Sequence, residues 1–454
     1  MARFENKKMS RSYDKETGRD IFTTERGNEF DLSQLRFLAA GIDTLRQLYN
    51  CTIKNDALEQ IARHYNKDGA DTNSAPFITL GGIEWKFTAS GKKSGYQYIL
   101  KNLDEGFVVL LKSFYKEIDE HGPHLKIEAT PQIIDELGLC GVSKRLREIA
   151  QIFGETVEAS GVAVHLHVDM KGLEIPEDFE QRLATRSKKN FKVNSISNAH
   201  FEAAEAAFIY GKGQTYLFGQ SSSLQMCLYD KTQEAIKSDK LDFMEEIWKR
   251  TPSVKVWLEP EYDDGKKSGV PDTVHRLEFR IHHSVIKQFE NGHFQKTCEY
   301  DDNGNLTKPG EEVFIREARD LKKHLQGLWL YCLENFRLEH SRTYVDPIWQ
   351  KLMEDIHYFQ IHPTFIYARA QKKSGGPSTR RNVAMWIGNH LRLAARRGLT
   401  TDHVTNYLMN AGLESEIADY FGLRIFGHQD EVWMCLHEFV SNKLREHRLN
   451  GVAA

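Results

Sequence analysis

The chain lacks the features that would place it in a membrane, a secretory route or a disulfide framework. No apolar run approaches the ~20 residues needed to span a bilayer, so no transmembrane helix and no membrane partner are expected. The opening Met1-Ala-Arg-Phe-Glu-Asn-Lys-Lys8 has no apolar stretch behind its charges, so no secretory signal is expected. Six cysteines are scattered through 454 residues with no C-x-x-C pair. That reads as reduced thiols in a cytoplasmic protein, without a zinc site or structural bridges. Charge of one sign is also missing: 61 basic residues stand against 64 acidic ones, a net charge of −3. A whole-chain basic attraction to nucleic acid is thereby excluded. With 40% hydrophobic and 28% charged residues, so is a collagen-like, low-complexity or wholly disordered chain.

What is present is local. Residues 356–401 contain no Asp or Glu but eight Lys/Arg: Arg369, Lys372, Lys373, Arg380, Arg381, Arg392, Arg396 and Arg397. A second acid-free run holds Arg182, Arg186, Lys188, Lys189 and Lys192. Basic patches on a neutral protein suit a partner with a phosphate backbone. A solvated helix face with loops gives the same pattern.

The spacing predicts an α+β architecture in three parts. Residues 1–73 read as a frayed polar arm followed by helices, because Leu35, Leu38, Ile42, Leu45 and Leu48 recur at helical intervals. From Phe77 the period becomes two. Candidate strands are 83–88, 95–101, 106–113, 124–130, 161–170, 214–219, 223–231 and 273–282, with helices between them at 131–153, 176–187, 199–209 and 239–250. This 74–310 region is the expected antiparallel-sheet core. Residues 311–454 read as helical, with Ser378 capping a helix ended by Gly398 and a short helix from Asp402 to Asn410, a weak helix-turn-helix signal. His124-Leu-Lys-Ile-Glu128 echoes Val274-His-Arg-Leu-Glu278, which predicts a duplicated lobe.

Alternation then sorts side chains by face. In Gly161-Val-Ala-Val-His165-Leu-His167-Val-Asp169, two imidazoles and a carboxylate share one face, a donor set suited to Mn²⁺ or Mg²⁺ and also to Zn²⁺. His-hydrophobic-His on a strand is also a signature of one class of single-strand DNA nickases; the solvent face of an ordinary sheet reads identically. The strand from Leu224 places Gln225, Cys227, Tyr229 and Lys231 together, a tyrosine nucleophile beside a cation or simply a packing tyrosine. Arg276, Glu278, Arg280 and His282 share a face of 274–282, as do Lys126, Glu128 and Thr130 of 124–130. Four strands with apolar backs and such polar fronts fit metal-dependent phosphodiester chemistry.

Tyr216-Leu-Phe-Gly219, then Leu224-Gln-Met-Cys-Leu-Tyr229-Asp-Lys-Thr232, Lys240, Trp248 and Val274-His-Arg-Leu-Glu278-Phe-Arg280, resemble the replication initiation factor family, the rolling-circle initiators of plasmids and filamentous phages, related to some conjugative relaxases. Asp43-Thr-Leu-Arg-Gln-Leu-Tyr49 and Asp346-Pro-Ile-Trp349 are similar to segments of such proteins, so the resemblance covers about residues 35–355.

The resemblance implies an endonuclease for DNA replication initiation. It would bind a double-stranded origin, nick one locally single-stranded strand with a tyrosine, stay linked to the 5′ phosphate, and leave a 3′ hydroxyl for a host polymerase, with a host helicase and often as a homodimer. It implies Mg²⁺ or Mn²⁺. Carried over, Tyr229 is the nucleophile, with Tyr210 and Tyr216 in reserve. Asp169, Glu278, His165, His167 and Glu128 are the metal candidates. Lys231 and Arg280 stabilise the transition state. Arg186, Lys188, Lys189, Lys372, Lys373, Arg380, Arg381, Arg396 and Arg397 grip DNA. The family strand usually reads Arg-x-Asp-x-x-x-Asp; here Ala163, His165 and Asp169 stand at those positions, so the first Asp is a His. A conjugative relaxase shares the chemistry, and a non-catalytic DNA-binding regulator shares the fold.

Overall fold

The computed structural model of the chain describes residues 7–65, 77–89, 95–102, 104–117, 119–185, 189–190, 216–250, 261–263, 266–268, 273–358, 364–370, 379–421 and 429–449. The chain divides into two compact units, Met1–Ala370 and Gln371–Ala454. Both boundaries expected from the sequence, at 73/74 and 310/311, lie inside the first unit.

The first unit is built on one eleven-stranded sheet. Its strands in chain order are β1 (Arg36–Ile53), β2 (Phe77–Leu80), β3 (Ile83–Ala89), β4 (Tyr96–Asn102), β5 (Phe107–Ser113), β6 (Gly122–Ala129), β7 (Gly154–Lys171), β8 (Lys189–Asn190), β9 (Tyr216–Gly219), β10 (Leu224–Asp230) and β11 (Val274–Ile281). The spatial order is β8-β9-β10-β11-β7-β1-β6-β5-β4-β3-β2, and every pairing is antiparallel. The α+β expectation holds. Helix α1 (Asn55–Tyr65) follows β1, α2 (Pro131–Phe153) follows β6, α3 (Lys231–Lys237) and α4 (Leu241–Lys249) follow β10, and α5 (His283–Thr297) follows β11. Helices α6 (Leu325–Asn335) and α7 (Pro347–Asp355) also belong to this unit.

The order repeats about the sheet's centre. Outward from β1 run β6, β5 and β4; outward from β7 run β11, β10 and β9. In each half the strand beside the central one is followed by a helix, α2 in one and α5 in the other. This is the duplicated lobe that the echo between 124–128 and 274–278 predicts, with Glu128 and Glu278 on equivalent strands.

The N-terminal expectation needs correction. Residues 36–53 are not helical; they form an 18-residue strand at the middle of the sheet. Leu45, Gln47, Tyr49, Cys51 and Ile53 alternate into the core. Leucines at 35, 38, 42, 45 and 48 satisfy a helical period equally well. Pairing with β7 on one side and β6 on the other decides the matter, since strand preference is set largely by packing. Helix is confined to α1.

Nor is residues 10–31 a frayed arm. Ser10–Tyr13, Asp20–Thr23 and Glu29–Asp31 make a small sheet. Asp20, fully buried, receives Arg11 at 2.8 Å and also binds Lys351 of α7. Of the expected helix 176–187, Phe179–Arg182 is helical and Leu183–Thr185 is a short strand, while 186–187 and 199–209 lie outside the described residues.

The core lies on one face of the sheet, where Leu45, Ile127, Val164, Leu166, Leu277 and Phe279 pack with Val142, Leu146 and Ile149 of α2 and Val285, Ile286 and Phe289 of α5. The second unit has its own core. Val383, Ile387 and Leu391 of α8 (Thr379–Arg396) meet Val404 and Leu408 of α9 (Thr401–Met409), Ile417 of α10 (Glu414–Phe421), and Leu436 and Val440 of α11 (Gln429–Leu449). No helix among the described residues is long and apolar enough to cross a membrane.

Candidate active site

Register brings the polar residues together. On β7, His165, His167 and Asp169 lie opposite Arg280, Glu278 and Arg276 of β11. On β10, Gln225, Cys227 and Tyr229 lie opposite the same three β11 residues. Directly paired residues project from the same side, so three strands supply one polar face.

Glu278 is its hub. Almost fully buried, its carboxylate takes the Tyr229 hydroxyl at 3.3 Å, the His165 Nδ1 at 3.0 Å and the Arg280 Nε at 2.9 Å. Burial alone would raise its pKa, but Arg280 and His165 outweigh it and hold the acid well below its ordinary range, so it is ionised. Burial lowers His165, so the imidazole is neutral and Nδ1–H is the donor to Glu278. Burial, reinforced by the negative Glu278, pushes the Tyr229 phenol well above 10. Burial likewise opposes the charge of Arg280, but the acids and polar groups around it raise its pKa instead.

The third acid is one that strand alternation in the sequence does not expose. His165 and Leu166 pair with Thr44 and Ile42, so Asp43 is the extra residue of a β-bulge on β1. A bulge re-aims its side chain, and here it turns Asp43 toward the site. Ligand-type atoms of Asp43, His165 and Glu278 all lie within 4.8 Å of one another. Two carboxylates and a neutral imidazole form a mixed oxygen–nitrogen donor set that suits Mn²⁺, Mg²⁺ or Zn²⁺. His167 adds a buried Nδ1 with no hydrogen-bond partner among the described residues. Burial and Arg276 hold its pKa to about 4, which leaves that ring neutral.

The other candidates are placed differently. Asp169, fully buried, is gripped by Arg276 at 2.6 and 2.8 Å and by the Trp248 indole N–H at 2.7 Å. Burial would raise its pKa, yet Arg276 holds it at about 2. Asp169 is thus an anchor for Arg276, whose other nitrogen binds Asp43, and it stands outside the Asp43–His165–Glu278 group. Glu128 stands outside it too, paired with Arg46 at 3.1 Å and Lys126 at 3.5 Å. Lys231 opens α3 and pairs with Glu234, within electrostatic reach of Asp43 and His167. Tyr216 lies opposite Leu228 and is buried against Phe179 on the apolar face, which removes it as a nucleophile. Tyr210 lies outside the described residues.

Of the basic candidates, Arg396 and Arg397 are exposed at the end of α8. Arg186, Lys188, Lys372 and Lys373 lie outside the described residues, as do the side chains of Lys189, Arg380 and Arg381.

Over 375 residues, 82% of this chain and 80% of the relative, the sequence is 32% identical to the uncharacterized protein ORF430 of Pseudomonas phage Pf1. No family model matches the chain, and no solved structure matches it.

Proposed function

We propose that this chain, which belongs to the same family as the ORF430 protein of Pseudomonas phage Pf1, is a rolling-circle DNA replication initiator that nicks one origin strand through Tyr229. The reading rests on one observation: the Tyr229 hydroxyl is 3.3 Å from Glu278, itself grouped with His165 and Asp43 as cation-ligand candidates. A filamentous phage origin for the relative agrees with it.

The chemistry follows from the residues. A phenol with an ordinary pKa near 10 is a poor nucleophile at neutral pH, and this one is pushed higher still. A divalent cation held by Asp43, His165 and Glu278, with His167 as a further ligand candidate, would polarise the scissile phosphate and favour the phenolate. The Tyr229 oxygen attacks phosphorus as its proton is lost to solvent. The bond from phosphorus to the 3′ oxygen breaks, and that oxygen leaves as a free 3′ hydroxyl after taking up a proton. Arg280 offsets the charge that builds on the phosphoryl oxygens. Tyr229 is left joined to the 5′ phosphate, so rejoining needs no ATP: a returning 3′ hydroxyl attacks the same phosphorus.

The test is incubation with single-stranded origin oligonucleotides and Mn²⁺ or Mg²⁺, followed by a denaturing gel. A covalent protein–DNA adduct is expected from the wild type and absent from Tyr229→Phe. An adduct that survives Tyr229→Phe moves the nucleophile elsewhere. No adduct on any oligonucleotide tiled across the phage origin leaves a non-catalytic DNA-binding protein.

A further inference from the structure

The polar face does not end at the central strands. It continues across the first lobe on the side turned away from the apolar core. Arg46 faces Glu128, Glu128 faces Val108, Val108 faces Lys101, and Lys101 faces Lys86. This is a single row across β1, β6, β5, β4 and β3, four strand spacings or ~19 Å long. It ends on β2 at Phe77, which lies opposite Lys86 and is 58% exposed.

Three features set this row apart from an ordinary wet sheet face. Lys86 and Lys101 are directly opposed across β3 and β4, an arrangement that destabilises a sheet. Neither is ion-paired with a carboxylate among the described residues. The row starts at the site, because Arg46 lies opposite Ala163, which shares its face of β7 with His165 two residues on. Finally, the lobe repeats the topology of the one that carries Glu278: its counterpart Glu128 is held between two cations, Arg46 and Lys126, where Glu278 takes one, Arg280, together with His165 and Tyr229.

We propose that this row is the track for single-stranded DNA next to the nick. The backbone phosphates lie over Lys101 and Lys86, and a base stacks on Phe77. Like-charged lysines at a fixed spacing suit a polyanion, and an exposed aromatic beside basic side chains offers a stacking platform to single strands without sequence preference. The proposal rests on reading the site as a DNA nickase. The outer strands of the first lobe then hold the strand while the residues gathered around Glu278 cut it.

Binding of a fluorescent oligo-dT probe to the full chain tests this, measured across a salt series by anisotropy. Lys86→Gln/Lys101→Gln alters one half-buried and one exposed side chain on the face turned away from the core. Each phosphate contact on a single strand contributes about 0.7 to the slope of log K against log salt. The double variant should therefore lose about 1.4 from that slope and bind at least tenfold more weakly at low salt. Phe77→Ala should weaken binding without changing the slope. An unchanged slope overturns the track and leaves the lysines as guards of a strand next to the sheet edge. Equal competition by a duplex of the same length overturns the single-strand assignment.

Adduct formation on a short oligonucleotide reports the nicking site separately. Wild type without adduct but with lysine-dependent oligo-dT binding sinks the nickase and keeps the track. Adduct with a lysine-independent slope does the reverse.

Discussion

Tyr229 and Glu278 leave neighbouring strands on the same face, and hydroxyl and carboxylate stand 3.3 Å apart. Tyr229→Phe deletes only that oxygen. The ring stays in place and Glu278 keeps His165 and Arg280. The variant should melt within a few degrees of wild type, since one hydrogen bond to a charged group is worth about 1.5–3 kcal/mol, while adduct formation disappears. Thermal unfolding run beside the gel separates loss of the nucleophile from loss of the fold. A collapse in melting temperature would show that the phenol is structural.

The Asp43–His165–Glu278 group carries two negative charges, on its carboxylates, beside a neutral imidazole, partly answered by Arg276 and Arg280. Mn²⁺ should raise the melting temperature. At a free concentration 100-fold above the dissociation constant, a ligand specific to the folded state contributes about 2.7 kcal/mol. Asp43→Asn and His165→Gln should each remove most of that increment, whereas Glu128→Gln, outside that group, should keep it. If Glu128→Gln abolishes the shift and Asp43→Asn does not, the cation binds away from Tyr229 and the proposed chemistry fails.

The sheet's polar face was legible from the sequence because period two is unambiguous in Val164–Asp169 and Val274–His282. The register that sets His165 against Arg280 was not, because pairing depends on both strands. Asp43 was hidden twice over. Its segment spaces leucines as a helix does, and a bulge takes it off the alternation that would have placed it. Asp169 looked like a ligand because its strand aligns it with His165 and His167. Only the structure shows Arg276 and Trp248 occupying its oxygens.

That occupation makes a stability prediction. Arg276 is 2% exposed and serves both Asp169 and Asp43. Arg276→Gln leaves a buried carboxylate uncompensated and should destabilise the protein by about 3–5 kcal/mol. Asp169→Asn, which keeps shape and a hydrogen-bonding oxygen, should cost less. Denaturant unfolding of both variants checks the order; a larger loss in Asp169→Asn would place the strain elsewhere.

The buried imidazoles set the acid side of the stability profile. His167 and His283 are both held to about 4, mainly by burial. The ordinary value near 6.5 applies once the chain unfolds. Below pH 6.5 the unfolded chain therefore binds protons that the folded one refuses, and stability falls as pH drops until about pH 4, where the folded rings also take them up. His167, fully buried, would contribute a loss of about 3 kcal/mol across the window; His283, half-buried, contributes less. Asp169, held at about 2, acts lower down: its stabilisation is present above pH 3.8 and fades as pH falls toward 2. Chemical denaturation at pH 7, 5.5 and 4 should show the decline. His167→Gln, which cannot be protonated, should remove about that 3 kcal/mol from the decline. A variant whose profile parallels that of the wild type would mean that His167 is already charged in the folded protein, and its ring would then have no lone pair to offer a cation.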